Sequence, residues 1–288
     1  MAFVDRSGHE TLLPHESADY LHPRLSPDGG RLAVTIRNAQ GVEVWILDLD
    51  RPTRTRLTFS DLDDSRPVWT PDGRRLAFVS QASNVGDLYW KLSDGTGNAE
   101  LLLESASLKW PFDFSHDGTT LLYSDVASSE NRNIWTMTLD EEPTPFVATT
   151  FDEVNPRFSP DGRWVAYVSN ESGRDEIYAR PYPGPGGAVV LSTDGGTEPV
   201  WSQTGGELFF RSGDKMMAIP IRQKPAFDFG DPELLFEGSF RRANNSWSYD
   251  VTSDGQRFVM VPLASEADTA QIHVVLNWIQ ELDQLLRQ

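Results

Sequence analysis

The chain has 288 residues, no cysteine, and 43 acidic against 25 basic side chains, a formal net charge of −18. The missing cysteines exclude disulfide frameworks, cysteine zinc sites and thiol nucleophiles, and the charge argues against nucleic acid and anionic membranes as partners. With 39% hydrophobic residues the chain can bury a core, and no apolar stretch approaches the ~18 residues of a membrane span.

The first residues, Met1-Ala2-Phe3-Val4-Asp5-Arg6, have no basic start and no long apolar run, so no secretory signal is read there. Residues 3–13 hold spare strand-like pieces, Phe3-Val4-Asp5 and Thr11-Leu12-Leu13, about an Arg6-Ser7-Gly8-His9 turn. Next comes a recurring phrase, Pro-x-aromatic-Ser/Thr-x-Asp-Gly followed by an apolar run. It reads Pro23-Arg24-Leu25-Ser26-Pro27-Asp28-Gly29, then Pro67-Val68-Trp69-Thr70-Pro71-Asp72-Gly73, then Phe114-Ser115-His116-Asp117-Gly118. It returns as Pro156-Arg157-Phe158-Ser159-Pro160-Asp161-Gly162, degrades to Pro199-Val200-Trp201-Ser202-Gln203-Thr204-Gly205, and ends as Asp250-Val251-Thr252-Ser253-Asp254-Gly255. The Ser/Thr positions 26, 70, 115, 159, 202 and 252 are spaced by 44, 45, 44, 43 and 50 residues. Six copies at this period match four-stranded propeller blades.

Each copy reads as four short strands. In the fourth, Pro156 to Ser159 is the first strand, Pro160-Asp161-Gly162 a tight turn, Trp164 to Val168 the second strand, Glu176 to Ala179 the third and Val189 to Leu191 the fourth. The second strands carry unbroken apolar runs such as Leu32-Ala33-Val34 and Leu76-Ala77-Phe78-Val79. Burial on both faces, as between stacked blades, requires this. The fold expected is all-β: a six-bladed β-propeller of four-stranded antiparallel blades over residues 1–288. The blades fall at about 22–59, 64–104, 110–149, 154–193, 197–237 and 247–277. The last blade has a third strand at Ile272 to Leu276 but no fourth of its own, so the N-terminal segment 3–13 is expected to complete it. A short C-terminal helix, 278–287, follows an Asn277 cap.

The usual catalytic signatures are absent or out of context. Asp228-Phe229-Gly230 echoes a kinase motif without its companions and falls in a loop of the fifth repeat. There is no G-x-S-x-G elbow and no phosphate-binding G-x-x-x-x-G-K-[ST] loop. Asp61-Leu62-Asp63-Asp64 fails the EF-hand template. The aspartates of the Asp-Gly turns read as caps of their own turns.

The remaining candidate is geometric, because innermost strands line a propeller's channel. The residue before the repeat's proline position is His22, Arg66, Pro111, Asn155, Glu198 or Ser248, and the residue after it Arg24, Val68, Asp113, Arg157, Val200 or Asp250. Trp110 and Trp247 lie just upstream. A ligand at the channel mouth is therefore expected to meet His22, Arg24, Arg66, Trp110, Asp113, Asn155, Arg157, Glu198, Trp247 and Asp250. The arginines would grip a carboxylate and the tryptophans supply an apolar wall. A wet mouth whose charges pair across it would look the same. In a second reading His22, Asn155 and Glu198, with Glu153 or Asp64, hold calcium or another divalent cation.

The Ser-Pro-Asp-Gly turns followed by Leu-Ala-Val or Phe-Val resemble the TolB-type WD-like β-propeller repeat, from about residue 20 to 278. His22 to Gly29, Ser172-Gly173-Arg174-Asp175-Glu176-Ile177-Tyr178, Gly195 to Trp201 and Val274-Val275-Leu276-Asn277-Trp278 resemble the propeller of bacterial membrane-anchored serine/threonine kinases. The resemblance implies a bacterial, periplasmic or extracytoplasmic setting and a binding role. The expected function is a monomeric, non-catalytic propeller without cofactor that docks a peptide, a protein or a small anion at the channel mouth. The alternative is a calcium-type hydrolase of esters, lactones or phosphotriesters, a likeness at fold level only.

Overall fold

The computed structural model describes residues 1–82, 85–126, 131–139, 141–222, 226–243 and 245–263. All its regular elements are strands, and they form a β-propeller. Successive antiparallel meanders each begin on an innermost strand: Asp19–Leu25, Asp63–Trp69, Leu108–Phe114, Glu153–Phe158, Thr197–Trp201 and Tyr249–Val251. Asp-Gly turns join five of these to the second strands, and Thr204-Gly205 does so in the fifth repeat. In each Asp-Gly turn the carboxylate accepts from the Ser or Thr hydroxyl two residues before it, at 2.6 Å from Thr70 to Asp72 and 2.7 Å from Ser159 to Asp161. Gly162 supplies the left-handed φ of 68° that closes the turn.

The core lies between neighbouring sheets. Along Leu32-Ala33-Val34, Leu32 and Val34 pack with Val259 of the closing sheet, while Ala33 packs with Trp69, Leu76 and Phe78 of the next. Val165 and Ala166 divide in the same way between the sheets before and after their own. Alternate residues of one run therefore serve two interfaces, which explains the lack of polar alternation. Trp69 and Trp201 add a bond across the interface: their indole N–H groups donate to the carbonyls of Arg24 and Arg157, at 2.9 and 3.1 Å.

Three expectations change. The N-terminus supplies two strands to the closing sheet. Ala2–Asp5 pairs with Arg257–Met260, and Glu10–Leu12 pairs outside it, giving the order Glu10–Leu12, Ala2–Asp5, Arg257–Met260, Tyr249–Val251. The third position foreseen for Ile272 to Leu276 is thus taken by Ala2–Asp5; that stretch and the helix 278–287 lie outside the described residues. The sheets are not six separate four-stranded units, since hydrogen bonds group the strands into five sheets. The parallel pairing Leu108↔Gly86 joins two meanders into one eight-stranded sheet. Glycine permits this approach, because a Cβ at Gly86 would stand 2.7 Å from the Leu108 side chain. Finally, Asp228–Phe229 is a strand rather than a loop. It pairs with Ile221 and Arg222 while Glu233–Glu237 pairs with the other end of the same long strand, Lys215–Arg222.

Candidate functional site: the two ends of the channel

Four residues directly before prolines have left-handed backbones: His22 (φ 51°), Arg66 (59°), Asn155 (55°) and Glu198 (57°). At each, the innermost strand shifts register, between Leu21 and Arg24, Ser65 and Val68, Val154 and Arg157, and Thr197 and Val200. Proline offers no N–H to the ladder, so the residue–proline pair bulges out and the bulge re-aims the first side chain. The third repeat has Pro111 there and shifts register without a left-handed residue.

Three of these side chains take hold of one segment, residues 245–248, which leads into Tyr249–Val251. Arg66 Nη1 donates to the Asn245 carbonyl at 2.8 Å, and Asn155 Nδ2 donates to that of Ser246 at 3.1 Å. Glu198 Oε2 accepts from the Ser248 amide at 2.6 Å and its hydroxyl at 2.7 Å. Burial raises the Glu198 carboxyl above its usual range, and the Ser248 bonds oppose this. So strapped, the segment sets Trp247, 4% exposed, across the channel. The Arg24 and Arg157 guanidinium carbons stand 5.1 and 4.9 Å from its ring centre, and Phe112 meets it edge-on at 4.8 Å.

There are two cavities, of about 600 and about 590 Å³; Trp247 lines the first, and its neighbours Arg24 and Arg157 line the second. The ten residues expected at one mouth are accordingly divided. Arg24, Asp113, Arg157 and Asp250 line the cavity on the side of the Asp-Gly turns. They form an alternating ring of charge: Arg24–Asp113 3.5 Å, Arg24–Asp250 3.7 Å, Arg157–Asp113 3.4 Å and Arg157–Asp250 3.0 Å. Asp250 also accepts from the Leu25 amide and Asp113 from that of Phe158, at 2.9 and 3.0 Å. Burial, with Arg157 nearby, brings Arg24 down to about 10. These two arginines already hold carboxylates of their own.

His22, Arg66, Trp110 and Trp247 line the other cavity, beside Arg37, Arg241 and Arg242. The Arg66 guanidinium lies 4.0 Å from the Trp110 ring centre. His22 Nδ1 meets Thr35 Oγ1 at 3.0 Å. Burial and the charges of Arg66, Arg37 and Arg241 push this imidazole well below its ordinary range, so it is neutral.

Asn155 and Glu198 do not line the His22 cavity. Glu153 and Asp64 face Thr149 and Ser60 hydroxyls on their own loops. Among the described residues no group of three or more His, Asp or Glu is placed to share a metal ion. The hydrolase alternative drew on that set and gains no support from the geometry. Sequence reading missed Arg37, Arg241, Arg242 and the strap. The last repeat spacing, 50 residues where the others are 43 to 45, does not mark the strap, since most of the added length lies between Lys215 and Glu237, where the extra strand Asp228–Phe229 sits.

A family model described as the TolB beta propeller domain matches residues 7–204. The TolB protein of the Tol-Pal system of Helicobacter pylori is 22% identical over 172 residues, 59% of this chain and 41% of that protein. The chain thus spans about two-fifths of that relative's length. Two solved structures share the fold. A putative TolB from Agrobacterium tumefaciens gives a TM-score of 0.66 at 19% identity, covering 82% of this chain and 87% of that one. TolB from Acinetobacter baumannii gives 0.67 at 22% identity, covering 82% and 59%.

Proposed function

The chain belongs to the TolB β-propeller domain family, and on that premise we propose that it is a non-catalytic docking module whose protein or peptide partner meets the strap end of the channel. The observation that carries this is an asymmetry between the two ends. Phe59, Leu62, Val85, Phe151 and Leu263 are exposed large apolar residues, and all stand in loops or strand ends on the strap side. The others among the described residues, Leu12, Leu101, Val190 and Leu234, lie on outermost strands. None lies in the Asp-Gly turns. Exposed apolar residues on one face mark interaction surfaces, and although none of the five lines the cavity itself they share its end of the molecule, whereas the opposite end presents polar turns over a charge ring that is already neutralised.

The ring itself we read as one unit of six blades, with the boundaries given by the repeats. Six innermost strands start six meanders, and the fused pair counts as two. The test of docking is a displayed library of random peptides, with the selected peptides mapped by hydrogen exchange. Protection is expected over residues 57–66 and 245–248. Protection confined to the turns at 26–30 and 159–163, or a failure of all selected peptides to protect the strap end, would overturn it.

A further inference from the structure

Arg66 is a cation without an anion. In a chain with 43 acidic residues, none among the described residues forms an ion pair with its guanidinium. Its contacts are the Trp110 ring, the Asn245 carbonyl and, through its amide, the Thr35 hydroxyl. Burial, with the charge of Arg132, brings it down to about 9. Its neighbours in the cavity are also cationic: Arg37 and Arg241 share the single carboxylate of Asp19, at 3.8 and 2.6 Å, and Arg242 lies 3.8 Å from Asp214. Of the residues lining the cavity, Asp63 alone is acidic, against four arginines. The contrast with the far end is direct, since there two arginines meet two aspartates. A half-buried guanidinium that lines a cavity and has no carboxylate of its own is placed to receive an anion. A planar carboxylate fits its fork in a way that a single acceptor does not.

We propose that the docking partner anchors itself by a carboxylate seated on Arg66, with Trp110 and Trp247 as the apolar walls for the side chain that carries it. This rests on the docking reading above and specifies its chemistry. The carboxylate can come from a chain terminus or from an acidic side chain, and in either case the cavity takes one anchoring residue while the exposed apolar rim meets the remainder. The left-handed backbone at Arg66 belongs to the same design, since the bulge turns this side chain into the cavity.

The test is calorimetric competition against the selected peptides with three probes: N-acetyl-phenylalanine, its amide, and N-acetyl-glutamic acid α-amide. At low salt the free acid is expected to bind at least about tenfold more tightly than the amide, and the difference should shrink as salt is raised. Arg66→Met should abolish that preference. Competition by the glutamic acid α-amide assigns the anchor to an acidic side chain; competition by the phenylalanine acid alone assigns it to a chain terminus. Equal binding of the phenylalanine acid and amide together with no competition by the glutamic acid α-amide overturns the carboxylate anchor and leaves docking at this end standing, because that reading falls only on the exchange experiment. If Arg66→Met does not fold, the acid–amide comparison on the unaltered protein decides the matter.

Discussion

His22, Arg66, Asn155 and Glu198 sit in the left-handed region directly before prolines, where a residue is ordinarily extended. For a non-glycine residue this costs about 1–2 kcal/mol, and at Arg66, Asn155 and Glu198 the strap contacts offset it. Asn155 separates the two contributions. Asn155→Gly loses the bond to Ser246 but relieves the backbone, while Asn155→Ala only loses the bond. Chemical denaturation should find the glycine variant more stable than the alanine variant by about 1 kcal/mol. At Glu198 the sign follows from its raised carboxyl. The folded state holds this proton more tightly than the unfolded chain, so its penalty is present at neutral pH and fades as pH falls toward the usual carboxylate range. Between about pH 7 and 4.5 the unaltered protein should therefore gain stability relative to Glu198→Gln, read as a shrinking difference in Tm or a reversal in its favour. A constant difference would contradict that account. The turn aspartates behave oppositely. Hydroxyl and amide bonds hold Asp28, Asp72, Asp117 and Asp254 below their ordinary value, so their contribution is whole above about pH 4 and lost below it. The prolines and turn aspartates could be read in the sequence, because each acts within a few residues of itself. The left-handed residues could not, since the pre-proline rule points the other way.

Among the elements, the charge ring and the strap fix how neighbouring sheets meet. Asp250 touches both Arg157 and Arg24 and also accepts the Leu25 amide, joining the last meander to the first. Asp250→Asn leaves two buried guanidinium groups to share Asp113 and should cost about 3–5 kcal/mol in denaturant unfolding. A cost near zero would show the ring to be incidental. Trp201→Phe keeps an aromatic ring but removes part of the buried bulk and the bond to the Arg157 carbonyl, so a loss of at least about 1 kcal/mol is expected. Strand number and order were legible from the repeat in the first four meanders but not in the fifth, which gains Asp228–Phe229, nor in the closing sheet. The fused sheet was not, since it depends on the close approach of Leu108 to Gly86. Nor was the strap's purpose, because its partners Arg66 and Asn155 are 179 and 91 residues away in sequence.

At the scale of the whole molecule, the N-terminus closes the ring with two strands where the sequence suggested one. Residues 3–13 read as spare strands in the sequence, but the third position falls equally to Ile272 to Leu276, whose apolar pattern is just as strand-like. Deleting residues 1–14 removes both closing strands, and a sharply lowered melting temperature is expected; an unchanged one would reject this closure. The TolB-type propeller was legible from the turn phrase alone, whereas the likeness to kinase-linked propellers stays with the residues that suggested it. The channel residues were found by repeat position, but one mouth was expected where there are two cavities. Everything functional then depends on which cavity a partner meets. The chain has no cysteine, so a benzophenone can be placed singly at Phe59→Cys on the strap side or Ser253→Cys on the turn side, and each illuminated with a selected peptide. Cross-links from position 59 and none from 253 are predicted; cross-links from 253 alone would contradict the account.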